Sequence, residues 1–263
     1  MLTLREALAV GGREVVAFVG AGGKTTAMFR LADELRADGR TVVVTTTTKI
    51  MVPAESEGRE LVVGTRDGDV VAATANVLGR GHVPVVGRAI TPDGKLAGVT
   101  ADQVADLAAL PRVTHVLVEA DGAAHQPFKA PREDEPVITA SATLVVPVVG
   151  IEALGRPLLE VSQRPERVMA LTGLGPADRL DARAIARVLI GPGGCTNGAP
   201  SAARIVPLVN KADDAPRLEM ARELAAELHR SGADRVVIAT LGGSRAVVEV
   251  LASAPPRSSA VPR

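Results

Sequence analysis

The sequence predicts an α/β fold with a doubly wound, mostly parallel sheet of the kind that carries phosphate-binding loops. Three observations lead there. Short Val-rich runs alternate along the chain with segments of helical periodicity, as strands buried on both faces alternate with crossover helices. One run, EVVAFVG, passes straight through a glycine-rich turn into an amphipathic helix. Hydrophobic residues make up 46% of the 263 and aromatic ones 1%, so Val, Leu, Ile and Ala must build the core.

Taken in order, TLRE opens the chain with a capping box, Thr3 as N-cap and Glu6 three residues on. Strands are expected at 14–20, 41–47, 60–64, 114–121, 142–149, 204–210 and 235–240. After the glycine-rich turn, Ala27, Met28, Leu31, Ala32 and Leu35 form a helical stripe that Gly39 ends. A second capping box, Thr100 with Gln103, starts TADQVADLAAL. A late helix over about 216–230 carries Leu218, Ala221, Leu224, Ala225 and Leu228, with Pro216 in an early position that a helix tolerates.

Two stretches break the alternation. Residues 83–99 hold a Pro-Asp-Gly turn between apolar runs and read as a β-hairpin inserted in the sheet or on its edge. Residues 151–203, rich in Pro, Gly and Arg with one clear helix in DARAIARVLI, read as a cap or mobile segment over the sheet. The expectation is one domain over 1–250, followed by a disordered tail at 251–263.

Composition removes several classes of function. Thirty basic residues balance thirty acidic ones, which gives no electrostatic footprint for nucleic acid or an anionic membrane. With no Trp or Tyr, stacking platforms for bases are missing. One cysteine excludes an internal disulfide and an all-cysteine metal site within one chain. No stretch has the features of a signal peptide or a spanning helix, so a cytoplasmic location is expected.

The central motif is GAGGKTT, residues 20–26. A full phosphate-binding loop reads G-x-x-x-x-G-K-[ST], and here Phe18 stands where its first glycine belongs. The physical demand is still met. Gly20, Ala21, Gly22 and Gly23 are small enough for consecutive backbone N–H groups to turn toward an anion, and the following helix adds its positive end. Lys24 would reach the outer phosphates, Thr25 would ligate Mg²⁺, and Thr26 completes the turn.

Asn210-Lys211-x-Asp213 follows a strand directly. In GTPases this pattern reads guanine, because the Asp accepts from ring N–H and amine groups that adenine does not present in that arrangement. In VEADG, Glu119 and Asp121 lie at i and i+2 at a strand's carboxyl end, with Gly122 behind them. Both carboxylates can share one face, where ligands sit in such sheets, and either could contact Mg²⁺. Thr45 to Lys49, TTTTK, end the neighbouring strand. Their hydroxyls, with Thr47, Thr48 and Lys49 outermost, suit an anionic substrate, a second shell around Mg²⁺ or a nucleotide-sensing switch. Lys129 and Arg132 follow the acidic turn as candidate γ-phosphate or partner contacts. His82, His115, His125 and His229 show no metal-ligand spacing. His115 reads as a core residue, and His125 is the one worth testing. Cys195 reads as a loop thiol.

Together, GAGGKTT, TTTTKI, EADGAAHQPFKAPREDEPVI, VVGIEALGRPL and GAPSAARIVPLVNKAD resemble the YqeC-like family of accessory proteins for selenium-dependent molybdenum hydroxylases. The likeness runs from about residue 10 to about residue 250. It implies a P-loop NTPase with site residues at Gly20–Thr26, Thr45–Lys49, Glu119–Gly122, Lys129 and Asn210–Asp213. The order of motifs also resembles metal-centre maturation GTPases of the urease and hydrogenase type, without their clusters of Cys or His ligands.

The leading expectation is a Mg²⁺-dependent NTPase, GTP favoured over ATP, acting as a maturation factor for a client enzyme or cofactor-assembly protein. Lys24, Glu119, Asp121 and Lys129 would do its chemistry, and a nucleotide-dependent homodimer would be its assembly. One alternative is an ATP-dependent kinase or ligase acting on a small cofactor precursor, since GAGGKTT is close to the short loop of the cell-wall amino-acid ligases. A third is a nucleotide-gated module that holds a partner without turnover.

Overall fold

The computed structural model describes residues 2–53, 58–64, 67–122, 126–243 and 246–252. In chain order the elements begin α1 (Leu4–Ala7), β1 (Glu14–Gly20), α2 (Lys24–Ala37), β2 (Val42–Thr46), β3 (Lys49–Met51), β4 (Arg59–Val63), α3 (Asp67–Gly79) and β5 (Val83–Gly87). They continue with β6 (Ala89–Ile90), β7 (Lys95–Ala97), α4 (Ala101–Ala109), β8 (His115–Glu119), β9 (Phe128–Lys129), β10 (Leu144–Gly150), α5 (Leu158–Val161) and β11 (Ser162–Gln163). The last are α6 (Pro165–Thr172), α7 (Ala182–Ile190), β12 (Arg204–Ile205), β13 (Leu208–Asn210), α8 (Ala215–Arg230), β14 (Arg235–Ala239) and β15 (Val247–Ala252).

The main sheet runs β15-β14-β13-β10-β1-β8-β2-β5-β4, with β12 beside β10. Every pairing is parallel except β15 on β14. Strand β1 is central, and from it the chain winds outward both ways, which opens a crevice at the strands' carboxyl ends.

Alternation along β1 sends Val16 and Phe18 to one face and Ala17 and Val19 to the other. The first face is closed by α1 and α2 through Leu4, Met28, Leu31 and Leu35. The second is shared, with α7 and α8 covering β10, β13 and β14 and α3 and α4 covering β2, β5 and β8. Apolar burial of this kind contributes about 25 cal/mol per Å², so helices on both faces fix the sheet tightly. Both expected capping boxes form, Thr3 with Glu6 and Thr100 with Gln103.

Three expectations about elements change. Residues 83–87 are not a hairpin arm but a fully buried parallel strand between β2 and β4; a five-residue apolar run does not by itself say which sheet it joins. The hairpin is β6–β7, and it pairs with β3 as a separate three-stranded antiparallel sheet. Residues 151–203 are packed rather than loose, with Leu158, Val168, Ile185 and Leu189 buried in the core under α8. The sheet also runs past residue 250, because Leu251 and Ala252 pair with Val236 and Arg235; residues 253–263 lie outside the described residues, as does His125.

Candidate functional site

At the carboxyl end of β1 the chain turns through Gly20, Gly22 and Gly23 at φ of 86°, 82° and 135°, a region that side chains disfavour. Space is as restrictive as conformation. A Cβ on Gly22 would collide with the backbone nitrogen of Gly150, and one on Gly23 with the Asn210 amide. Ala21 is buried and donates its N–H to Val148 O at 2.9 Å.

The loop feeds α2, whose N-cap is Gly23, with no side-chain cap and no acidic residue in the first turn. Three other helices have side-chain caps: Thr100, Asp181 and Asp214 cap α4, α7 and α8. First-turn N–H groups without a side-chain partner, at the positive end of a 14-residue helix, are the kind of donors that can receive an anion.

Lys24 is buried and folds back onto the loop, donating to Gly20 O at 2.7 Å. Its Nζ lies 3.2 Å from Asp121 Oδ1 and 3.6 Å from Glu119 Oε1. Burial works to lower its pKa, but the Asp121 and Glu119 carboxylates outweigh it and hold the amine above its ordinary value. Thr25 donates its hydroxyl to Glu119 Oε2 at 2.6 Å. Burial raises the Glu119 pKa, and Lys24 and Thr25 offset this only in part.

A hydroxyl and a carboxylate side by side are the oxygen donors Mg²⁺ uses alongside phosphate oxygens. Thr25 and Glu119 therefore fit that ion. Among the described residues no group of three or more His, Cys, Asp or Glu could hold a metal unaided.

Asp121 has a different place from its i−2 neighbour. It is 0% exposed, accepts the Gly20 N–H at 3.0 Å and lies 3.1 Å from Lys129 Nζ. Lys129 is equally buried and donates to Gly122 O at 2.6 Å and Glu135 Oε2 at 3.0 Å. Glu135 then takes both guanidinium nitrogens of Arg164, at 2.8 and 3.2 Å. Although burial opposes it, Lys129 and Arg164 keep Glu135 below the usual carboxylate range. Lys129 thus lies behind the acidic turn as an internal counter-ion and off the cleft wall, and Asp121 braces the loop from beneath. Cys195 is buried rather than an exposed loop thiol, its Sγ 3.7 Å from Lys129 O, and burial pushes its pKa up to about 12.

The threonine run divides in two. Thr45 and Thr46 are buried and donate to Val86 O and Glu119 O at 2.9 and 2.8 Å. Thr47, Thr48 and Lys49 line the cleft. His115 is a satisfied core residue, with ring nitrogens on Thr114 Oγ1 and Gly11 O.

Asn210 ends β13 and clamps the loop. Its amide donates to Gly22 O at 2.8 Å, and its oxygen accepts the Leu241 N–H at 3.0 Å. Lys211 has a left-handed backbone, lines the cleft and pairs with Glu152. Asp213 is 45% exposed, pairs with Arg217 at 3.1 Å and is not on the cleft wall.

These parts surround one cleft of about 1100 Å³. Gly22, Gly23, Lys24, Thr25 and Thr26 form one side with Glu119 and Gly122. The lining also holds residues that the sequence patterns do not mark, Arg88, Lys95 and Arg164 among them. No motif marks them; only the pairing of β3 with the hairpin brings Lys49 and Lys95 to one wall.

Comparison with known proteins agrees with the motif pattern. The family model described as YqeC protein matches residues 16–166. An Escherichia coli (strain K12) relative, described as uncharacterized protein YqeC, is 32% identical over 201 residues, 75% of each chain. With a matching model over more than half its length and a relative of this identity and coverage, the chain belongs to the YqeC family.

Proposed function

We propose that the protein binds a Mg²⁺–nucleoside triphosphate in this cleft and hydrolyses it, water adding to the γ-phosphorus as the bond to the leaving nucleoside diphosphate breaks. In this reading it serves as an accessory factor in maturing a selenium-dependent molybdenum hydroxylase. The observation that carries the nucleotide reading is Lys24 and Thr25 at the uncapped start of α2, with Glu119 bonded to the Thr25 hydroxyl. Loop and helix N–H groups meet the phosphates, and Lys24 moves from its carboxylates to the oxygens on which charge develops. Thr25 and Glu119 would hold Mg²⁺, which would supply positive charge to offset that of the phosphates. Asp121 keeps its bond to the Gly20 N–H throughout and so holds the loop in shape.

Guanine is the favoured base. The Asn210-Lys211-x-Asp213 pattern supports this reading: Asn210 fixes its segment against Gly22, and Asp213, exposed but off the cleft wall, would meet a base that extends past that wall and displaces Arg217. Calorimetric titration of GTP and ATP with Mg²⁺ into wild type, Lys24→Ala and Asp213→Ala tests this. GTP preference lost in Asp213→Ala supports the guanine site, whereas tight ATP binding indifferent to Asp213 overturns it. Failure of Lys24→Ala to weaken either nucleotide overturns the phosphate cradle itself. For the accessory role, cells lacking the protein should accumulate inactive client hydroxylase; full client activity would exclude it. A nucleotide-dependent homodimer is part of the proposal, and a light-scattering mass unchanged by a non-hydrolysable analogue would count against it.

A further inference from the structure

Part of the cleft lining carries three cationic side chains, Lys49, Arg88 and Lys95. In the small sheet β3-β7-β6, residues opposite each other share a face. Lys49 lies opposite Ala97 and Met51 opposite Lys95, and all four line the cleft. Of the alternate positions, Leu96 is buried in the core beneath, and Ile50 packs there too while also bordering the cleft. The small sheet thus has an apolar back and a cationic front. Arg88, just before β6, adds an exposed guanidinium to that front.

This wall is held at a fixed distance from the loop. Val99 donates to Thr46 O at 2.8 Å, and the Thr46 hydroxyl donates to the carbonyl of Glu119, whose carboxylate takes the Thr25 hydroxyl. A Cβ on Gly98 would run into the backbone of Thr46 and Thr47, so the hairpin meets the end of β2 without slack.

Charge on the two walls is not equivalent. Lys24 is balanced by Glu119 and Asp121. Among the described residues, Lys95 has only the exposed Asp93, at 3.0 Å, and no carboxylate pairs with Lys49 or Arg88. In a chain of 30 basic and 30 acidic residues, that local excess calls for an anionic ligand. The nucleotide's phosphates already have the loop amides, the start of α2 and Lys24.

We infer that Lys49, Arg88 and Lys95 form a subsite for a second ligand, a small molecule carrying a phosphate or carboxylate oxyanion, bound in the same cleft as the nucleotide. The inference rests on the loop holding the nucleotide, as proposed above, and names the class of co-substrate that shares the cleft.

The test is titration of inorganic phosphate, and separately of succinate, into protein saturated with Mg²⁺ and a non-hydrolysable triphosphate analogue. One or both should bind with 1:1 stoichiometry. Arg88→Ala and Lys95→Ala should each weaken that binding about tenfold, the loss of one charge-assisted hydrogen bond, with analogue affinity unchanged. Phosphate binding alone identifies a phosphorylated co-substrate, and succinate binding alone a carboxylate. No binding of either anion, or equal weakening of the analogue by Arg88→Ala, overturns the inference; in the second case the wall belongs to the nucleotide site. If the analogue itself does not bind, the nucleotide reading fails instead. The same anions titrated into nucleotide-free Lys24→Ala then read this wall by itself, and binding abolished by Arg88→Ala upholds it while no binding overturns it.

Discussion

Lys24 Nζ sits 3.2 Å from Asp121 Oδ1, and the other Asp121 oxygen holds both the Gly20 N–H and Lys129. The lysine that would meet the phosphates is thus part of the buried charge lattice that keeps its own loop in place. Removing it has two separable consequences. Lys24→Ala should lose nucleotide affinity by at least about tenfold. It should also lower stability by about 3 kcal/mol, because Glu119 and Asp121 are left buried without their shared cation. The Lys24 pKa is raised in the fold, so its contribution is complete below the ordinary lysine value and is lost only as pH rises through the raised one. Urea unfolding of both proteins from pH 6 to 9 should show a gap that does not narrow as pH rises; equal stabilities would mean that the lattice does not need Lys24.

Glu135 supplies the acid-side counterpart. Its pKa is lowered by Lys129 and Arg164 against the opposing effect of burial. A carboxylate lowered on folding contributes stability above its unfolded pKa, and that contribution disappears as pH falls through the lowered value. Glu135→Gln should therefore cost about 3 kcal/mol at neutral pH, by leaving Lys129 short of a counter-ion. The gap from wild type should close in acid, below the usual carboxylate range. A gap independent of pH would show that Glu135 acts through packing rather than charge.

The division between what was legible in the sequence and what was not follows the range of each interaction. The loop, both capping boxes and the strands around β1 are local patterns, written in adjacent residues, and they form as expected. That a carboxylate of the Glu119–Asp121 pair would lie near Thr25 was also legible, because that strand end and that helix start meet in a doubly wound sheet, but which of the two it would be was not. The burial of Lys129 was not, since nothing near it in sequence says that Arg164 will close over Glu135. Nor was the strand at 83–87 separable from the hairpin after it, because its apolar run continues almost directly into β6. The cationic wall escaped for the same reason: Lys49 and Lys95 come together only through the pairing of β3 with β7.

Cys195 should be chemically silent in the folded protein. Burial, with Asp121 nearby, pushes its pKa up to about 12, which leaves almost no thiolate at neutral pH. Reaction with a disulfide reagent at pH 8 should be undetectable under native conditions and should appear in step with urea unfolding. Fast native reaction would place the thiol outside the core and undo the packing of residues 151–203 under α8.

Asn210 and Asp213 belong to one motif, yet their surroundings predict opposite phenotypes. Asn210 is buried and joins two segments, donating to Gly22 O and accepting from Leu241 N. Asn210→Ala removes two hydrogen bonds of about 1 kcal/mol each and leaves a buried N–H without an acceptor. Stability should fall by about 2 kcal/mol, and GTP and ATP should both weaken as the loop loosens. Asp213 is half exposed, and its ion pair with Arg217 spans one turn at the surface, an interaction contributing at most about 0.5 kcal/mol. Asp213→Ala should leave the unfolding midpoint almost unchanged and act only on the choice of base, reducing affinity for GTP but not ATP. Unfolding curves and nucleotide titrations on the two variants separate the roles. If Asp213→Ala alters both nucleotides equally, the motif acts as a clamp on the loop and does not read the base.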